Sequence, residues 1–167
     1  VYKQGGGNMM FVDADDLISN KITQFIDENP NEYGWYIADG YEYHLDTGKI
    51  KLTPKFDKFC GTCAILNLQK EDLPSNIHFD GYQNHSRDYL FEQGHNTWVK
   101  TFAEAGRPLK KLPFRGAMYT LNSSESITSI NQFSKGGSFK RRLYRKLMPS
   151  FINKKRIKEE FGIGLTW

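Results

Sequence analysis

Asp13, Asp15 and Asp16 place three carboxylates within four residues, directly after the short apolar run Met9-Met10-Phe11-Val12. In an extended or turning backbone Asp13 and Asp15 project to similar sides. Carboxylates this close repel one another unless something positive lies between them. A hard divalent cation, Mg²⁺ or Mn²⁺, relieves that repulsion, because it takes carboxylate oxygens and shares them with substrate phosphates. The chemistry this spacing predicts is therefore the grip of a metal-bound diphosphate. The plainer reading is a solvated acidic turn in which Asp16 caps the following helix; an ordinary cap needs one acid, and this turn has three.

Two other acid-based chemistries fit less well. An apolar strand ending in Asp-x-Asp also opens the haloacid-dehalogenase phosphatases, in which the first carboxylate, here Asp13, is the nucleophile. Leu17 stands where that pattern carries Thr or Val, so the phosphatase is the alternative rather than the first reading. A calcium loop of the EF-hand kind fails, since the glycine and distant Glu it requires do not follow Asp13. Cys60-Gly61-Thr62-Cys63 matches C-x-x-C, but zinc would need two more ligands from afar. These cysteines read as small hydrophobes packed in a buried strand.

Local elements must hold these groups in place. The chain has 167 residues, 38% apolar and 25% charged, enough for one domain with a core and unlike disordered or collagen-like sequences. Met9–Val12 is short enough to favour a buried strand over a helix. After Ser19, a plausible N-cap, Ile22, Phe25 and Ile26 fall at i, i+3 and i+4 and Pro30 stops the run, which predicts a helix of about ten residues. The acids then crown the carboxyl end of a strand, where open α/β sheets bind ligands. Trp35, Ile37, Tyr41, Tyr43, Leu45, Ile50 and Leu52 alternate with polar residues across Asp46-Thr47-Gly48 and predict a β-hairpin over Gly34–Leu52, its aromatics serving as core and cross-strand packing more readily than as sugar-stacking rings. Phe59–Leu66 and Ala117–Leu121 are further strand candidates. Between Asn84 and Gly106 the pattern becomes helical, with Trp98, Val99, Phe102 and Ala103 on one stripe and Gly106 before Pro108 as terminator. Phe139, Leu143 and Leu147 among basic residues predict an amphipathic helix broken by Pro149. Together these predict an α/β domain, a mixed sheet flanked by helices, over residues 1–134, followed by a basic helical segment over 135–167.

With these elements in place, the ordered set Met10-Phe11-Val12-Asp13-Ala14-Asp15-Asp16-Leu17-Ile18, Gly34-Trp35-Tyr36 leading to Gly40-Tyr41, Phe59-Cys60-Gly61-Thr62, and Gly106-Arg107-Pro108-Leu109 with Leu112-Pro113-Phe114-Arg115-Gly116-Ala117 resembles the second half of GT-A-fold, family-2-like glycosyltransferases. The likeness spans about residues 1–128. It implies transfer of a sugar from a nucleotide-diphosphate donor to an acceptor hydroxyl, assisted by Mn²⁺ or Mg²⁺. By that resemblance Asp13 lies near the nucleotide sugar and shares the metal with Asp15, Asp16 assists, and Gly61 and Thr62 line the donor sugar. An inverting enzyme also needs a base within hydrogen-bond reach of the acceptor hydroxyl. The polar segment holding Asp80, His85, Asp88 and His95 supplies candidates; His95 is the first choice and Asp80 the second, although Gly94-His95-Asn96 serves equally as a helix cap. His44 and His78 have no supporting context. The family's nucleotide-base pocket is built mostly before the Asp-x-Asp strand, where this chain has only Val1–Asn8. The reading is thus an N-terminally truncated domain, with a non-catalytic domain as a further alternative.

The charge is segregated: residues 1–134 carry 13 Lys and Arg against 17 Asp and Glu, and residues 135–167 carry 10 against 2. The basic tail reads first as a solvated helix face. Second, as a membrane-surface contact through 139–158, it suits a lipid-linked acceptor, a protein acceptor being the other option. Nucleic acid comes last, because no reader motif accompanies the charge. No apolar stretch approaches membrane-spanning length and no signal-peptide blocks open the sequence, so the expected location is cytoplasmic, peripheral at a membrane if the tail binds lipid.

Overall fold

The computed structural model describes residues 5–31, 33–73, 94–121 and 153–164. Within them the chain is mixed α/β, with two mixed four-stranded sheets and three α-helices. The strands are β1 (Gly7–Met10), β2 (Leu17–Ile18), β3 (Gly34–Tyr36), β4 (Asp39–His44), β5 (Lys49–Pro54), β6 (Ala64–Leu68), β7 (Lys110–Lys111) and β8 (Ala117–Leu121). The helices are α1 (Ile22–Glu28), α2 (Trp98–Glu104) and α3 (Lys154–Glu160).

The first sheet has the order β1-β6-β3-β7, antiparallel except for the parallel β3–β7 pair. The second has the order β2-β8-β4-β5, with β4 and β8 parallel. Both sheets contribute to one large core that includes Trp35, Ile37, Phe56, Leu66, Phe102, Leu112 and Ala117. A smaller cluster of Ile50, Met118, Ile157 and Phe161 seats α3 on the second sheet.

Of the apolar run Met9–Val12, only Met9 and Met10 belong to a strand, β1, which among the described residues is an edge strand rather than a buried one. Its pairing ends at Met10 opposite Ile65, and Phe11 and Val12 are 41% and 43% exposed. The helix after Ser19 forms as Ile22–Glu28; Lys21 occupies the N-cap position without a side-chain cap bond. Ser19 instead accepts the Lys21 N–H at 3.3 Å and donates to Glu160 Oε1 at 2.6 Å. The Asp46-Thr47-Gly48 turn joins β4 to β5 as expected, with Tyr41 opposite Leu52 and Tyr43 opposite Ile50. Trp35 belongs to β3 in the other sheet, because that segment finds its partner in β6. The expected strand over Phe59–Leu66 begins only at Ala64, after a 3-10 turn at Phe56–Lys58. Ala117–Leu121 is a strand over the predicted residues. Residues 84–93 of the second expected helix, and Phe139, Leu143 and Leu147 of the basic helix, lie outside the described residues. Lys154–Glu160 is a helix that the apolar periodicity did not single out, with Ile157 turned into the core and Lys154, Lys155, Arg156 and Lys158 exposed. Among the described residues, no helix is long and apolar enough to cross a membrane.

Candidate functional site

The acids form a hydrogen-bonded turn. Asp16 N–H donates to the Asp13 carbonyl at 3.0 Å, a bond between residues three apart that reverses the chain immediately after β1. This turn brings together Asp13 and Asp16, rather than the Asp13 and Asp15 that a two-residue period favours. One ligand atom each from Asp13, Asp16 and Cys60 lie within 4.8 Å of one another. Asp15, half-buried, is outside that trio.

The members of the trio are not equivalent. Asp13 is exposed, whereas Asp16 is 8% exposed and Cys60 1%. The Asp16 carboxylate accepts from the Thr120 backbone N–H at 3.2 Å, the Cys60 thiol at 3.0 Å and the Thr62 hydroxyl. Burial pushes the Asp16 carboxyl above its ordinary range; the three hydrogen bonds act against that shift, and the nearby charge of Asp13 adds to it. Burial also pushes the Cys60 thiol far up, reinforced by the charge of Asp16, and holds Cys63 at about 12. Both cysteines are free and buried, and at neutral pH both are thiols. Asp16 is thus a buried bracket between the acid turn, the segment before β6 and strand β8. It does not cap α1.

Gly61 and Thr62 complete the wall. A Cβ at Gly61 would lie 3.0 Å from Asp13 Oδ2, so the glycine allows the carboxylate to approach the backbone closely. Thr62 is fully buried, and its Oγ1 accepts the Asp13 N–H at 3.0 Å. The hydroxyl that joins Asp13 to Asp16 is therefore engaged as both acceptor and donor.

None of the known family models, curated proteins or solved structures matches this chain. What it does must be argued from the site itself.

His95, half-buried, sits at the entry to α2, its carbonyl accepting the Trp98 N–H at 3.4 Å. Its ring meets Trp98 edge-on at 6.5 Å, and Trp98 stacks on Phe11 at 5.5 Å. Two aromatic contacts thus connect His95 to the chain two residues before Asp13. Asp80, His85, Asp88 and His78 lie outside the described residues. His44 ends β4 opposite Lys49. Trp35 is in the core against Phe25, and Tyr41 packs on Phe161, as the packing reading of the aromatics expects.

Sequence reasoning missed two supporting contacts. Arg107 makes a two-pronged ion pair with Asp72 through both guanidinium nitrogens, and its guanidinium carbon lies 5.6 Å from the Tyr33 ring centre and 5.5 Å from that of Phe102. Glu160 of α3 bonds Ser19 and Lys21, and its carbonyl accepts the Asn20 N–H at 3.2 Å. Neither contact has a signal in local spacing, because the partners are far apart in sequence.

The donor set can be tested against a hard cation. The exposed carboxylate oxygens of Asp13 suit Mg²⁺ or Mn²⁺. The Cys60 thiol does not, being soft and protonated, and the Asp16 oxygens already accept three protein donors. Of the trio, the exposed Asp13 carboxylate is the member that fits such an ion, and Asp15, the other ligand the sequence suggested, lies outside the cluster.

Proposed function

We propose that this chain acts as a metal-assisted glycosyltransferase of GT-A type, moving a sugar from a nucleotide-diphosphate donor to an acceptor hydroxyl. The observation that carries the reading is the division of labour in the acid turn. A purely structural acid turn would need only the buried Asp16. Here Asp13 is held exposed beside Gly61, on a support that fixes both its backbone N–H and its carbonyl. An exposed ligand on a buried, fully bonded support is the arrangement a metal and diphosphate site demands. The mixed α/β architecture agrees with it.

In this reading Asp13 would hold Mn²⁺ or Mg²⁺, with Asp15 as the second ligand that the resemblance implies, and the ion would supply the positive charge that stabilises a departing nucleoside diphosphate. The backbone at Gly61 lies against the donor sugar, where a side chain would intrude. His95 stands as the described candidate to accept the acceptor's hydroxyl proton, held by its contact with Trp98. Transfer then breaks the bond between the sugar and the diphosphate oxygen and forms one to the acceptor oxygen.

Isothermal titration of UDP and GDP, with and without Mn²⁺, tests the proposal. The expected result is nucleotide binding that requires Mn²⁺ and is abolished in Asp15→Ala. Wild-type affinity in that variant refutes the ligand assignment, and a phosphoryl group trapped on Asp13 would replace this reading with the phosphatase.

A further inference from the structure

Thr62 and Cys60 touch no exposed surface, yet both bond directly to the acid turn. The Thr62 hydroxyl has one proton, which goes to the Asp16 carboxylate, and its oxygen accepts the Asp13 N–H at 3.0 Å. This yields a directional chain: Asp13 N–H to Thr62 O–H to Asp16 carboxylate. Cys60 donates its S–H to Asp16 Oδ2 at 3.0 Å, and the Thr120 N–H reaches Asp16 Oδ1 at 3.2 Å. Asp16 N–H returns to the Asp13 carbonyl at 3.0 Å. The Asp13 N–H is therefore held through Thr62 and its carbonyl by the Asp16 backbone N–H, so both ends of this residue are fixed from Asp16.

We infer that Thr62 and Cys60 are positioning residues, which act through Asp16 and the Asp13 backbone to hold the Asp13 carboxylate where it can bind a cation. The inference rests on the reading above only in naming what Asp13 holds. It reassigns Thr62 from lining the sugar with its side chain to supporting the acid turn from behind. It also gives the C-x-x-C segment a purpose that is neither redox nor zinc: Cys60 is a weak donor on a buried carboxylate.

Thr62→Val keeps the volume and removes the hydroxyl, while Thr62→Ser restores a hydroxyl without the methyl. Cys60→Ala and Cys60→Ser form a second such pair. Two measurements apply to each variant after thermal unfolding has confirmed a folded chain: Mn²⁺ affinity by titration, and exchange of the Asp13 and Asp16 amide hydrogens by NMR. In Thr62→Val the expected results are a loss of about tenfold or more in Mn²⁺ affinity and loss of Asp13 amide protection, both recovered in Thr62→Ser. Cys60→Ala should weaken Mn²⁺ binding less, with recovery in Cys60→Ser. Wild-type Asp13 protection and Mn²⁺ affinity in Thr62→Val would overturn the inference. If the wild type binds Mn²⁺ but no nucleoside diphosphate, the transferase reading fails and the positioning role stands. If it binds no Mn²⁺, the positioning role has no cation to serve and falls with it, whereas the amide exchange still decides whether Thr62 holds the turn.

Discussion

Arg107 offers the most demanding test of how the chain just beyond β6 is held. Its guanidinium joins the Asp72 carboxylate through both prongs, with side-chain exposures of 18% and 8%. Asp72 Oδ2 also accepts the Gln69 N–H at 2.7 Å, closing the 3-10 turn at Lys70–Asp72 that follows β6. Exposed ion pairs contribute about 0.2–1 kcal/mol, whereas removing one partner of a buried pair costs about 3–5 kcal/mol. This pair lies nearer the buried limit, and Arg107 also packs on Tyr33 and Phe102. Arg107→Ala should therefore cost about 3 kcal/mol, which in a chain of this size lowers the melting temperature by about 6–12 °C. Arg107→Lys keeps the charge but not the fork, and should lose about half as much. Urea unfolding of Arg107→Ala, Asp72→Asn and the double variant measures the coupling directly. Burial alone would raise the Asp72 carboxyl, but the Arg107 hydrogen bonds and charge hold it below its ordinary value of 3.8. A lowered acid contributes stability above the unfolded value and loses it as pH falls through the folded one, so the coupling should fade below about pH 4. A cost under about 1 kcal/mol for Arg107→Ala at neutral pH, or additive single variants, would refute the argument.

Asp16 should show the opposite pH dependence. Its carboxyl is raised by burial above 3.8, so its contribution is complete below that value and is lost as pH rises through the folded pKa. Asp16→Asn should flatten the fall in stability that the wild type shows from about pH 4 upward, read from urea midpoints; unchanged slopes would mean that Asp16 is not the titrating group. Gly40→Ala should destabilise by about 1–3 kcal/mol, because a Cβ there would sit 2.4 Å from the fully buried Phe56 ring. A melting temperature equal to the wild type would show that Phe56 has room to move.

Much of the chain is legible locally. The turn at Asp46-Thr47-Gly48, the helix that opens with Ile22, the end of α2 at Gly106 and the strand Ala117–Leu121 are each dictated by periodicity and turn chemistry within a few residues. The acid cluster Asp13–Asp16 is also visible locally, since three acids there follow an apolar run. What periodicity misread depends on the partner a segment meets. Glu42 alternates with Tyr41 and Tyr43 as an outward residue would, yet it is completely buried, because β4 is covered on both faces: Tyr41 and Tyr43 pack on the smaller cluster, and Tyr119, opposite Glu42 on β8, packs on the large core. Phe11 and Val12 read as core and are exposed, because β1 is an edge strand whose ladder ends at Met10.

By itself the sequence determined which residues are acids, where the chain turns and which stripes are apolar, because those properties are set within a few bonds. Only the tertiary structure decided that Asp16 faces inward and Asp13 outward. That split depends on Cys60 and Thr62, more than forty positions away, and on the Thr120 amide, 104 positions away. A carboxylate is buried only where donors converge on it, and convergence is a property of the fold.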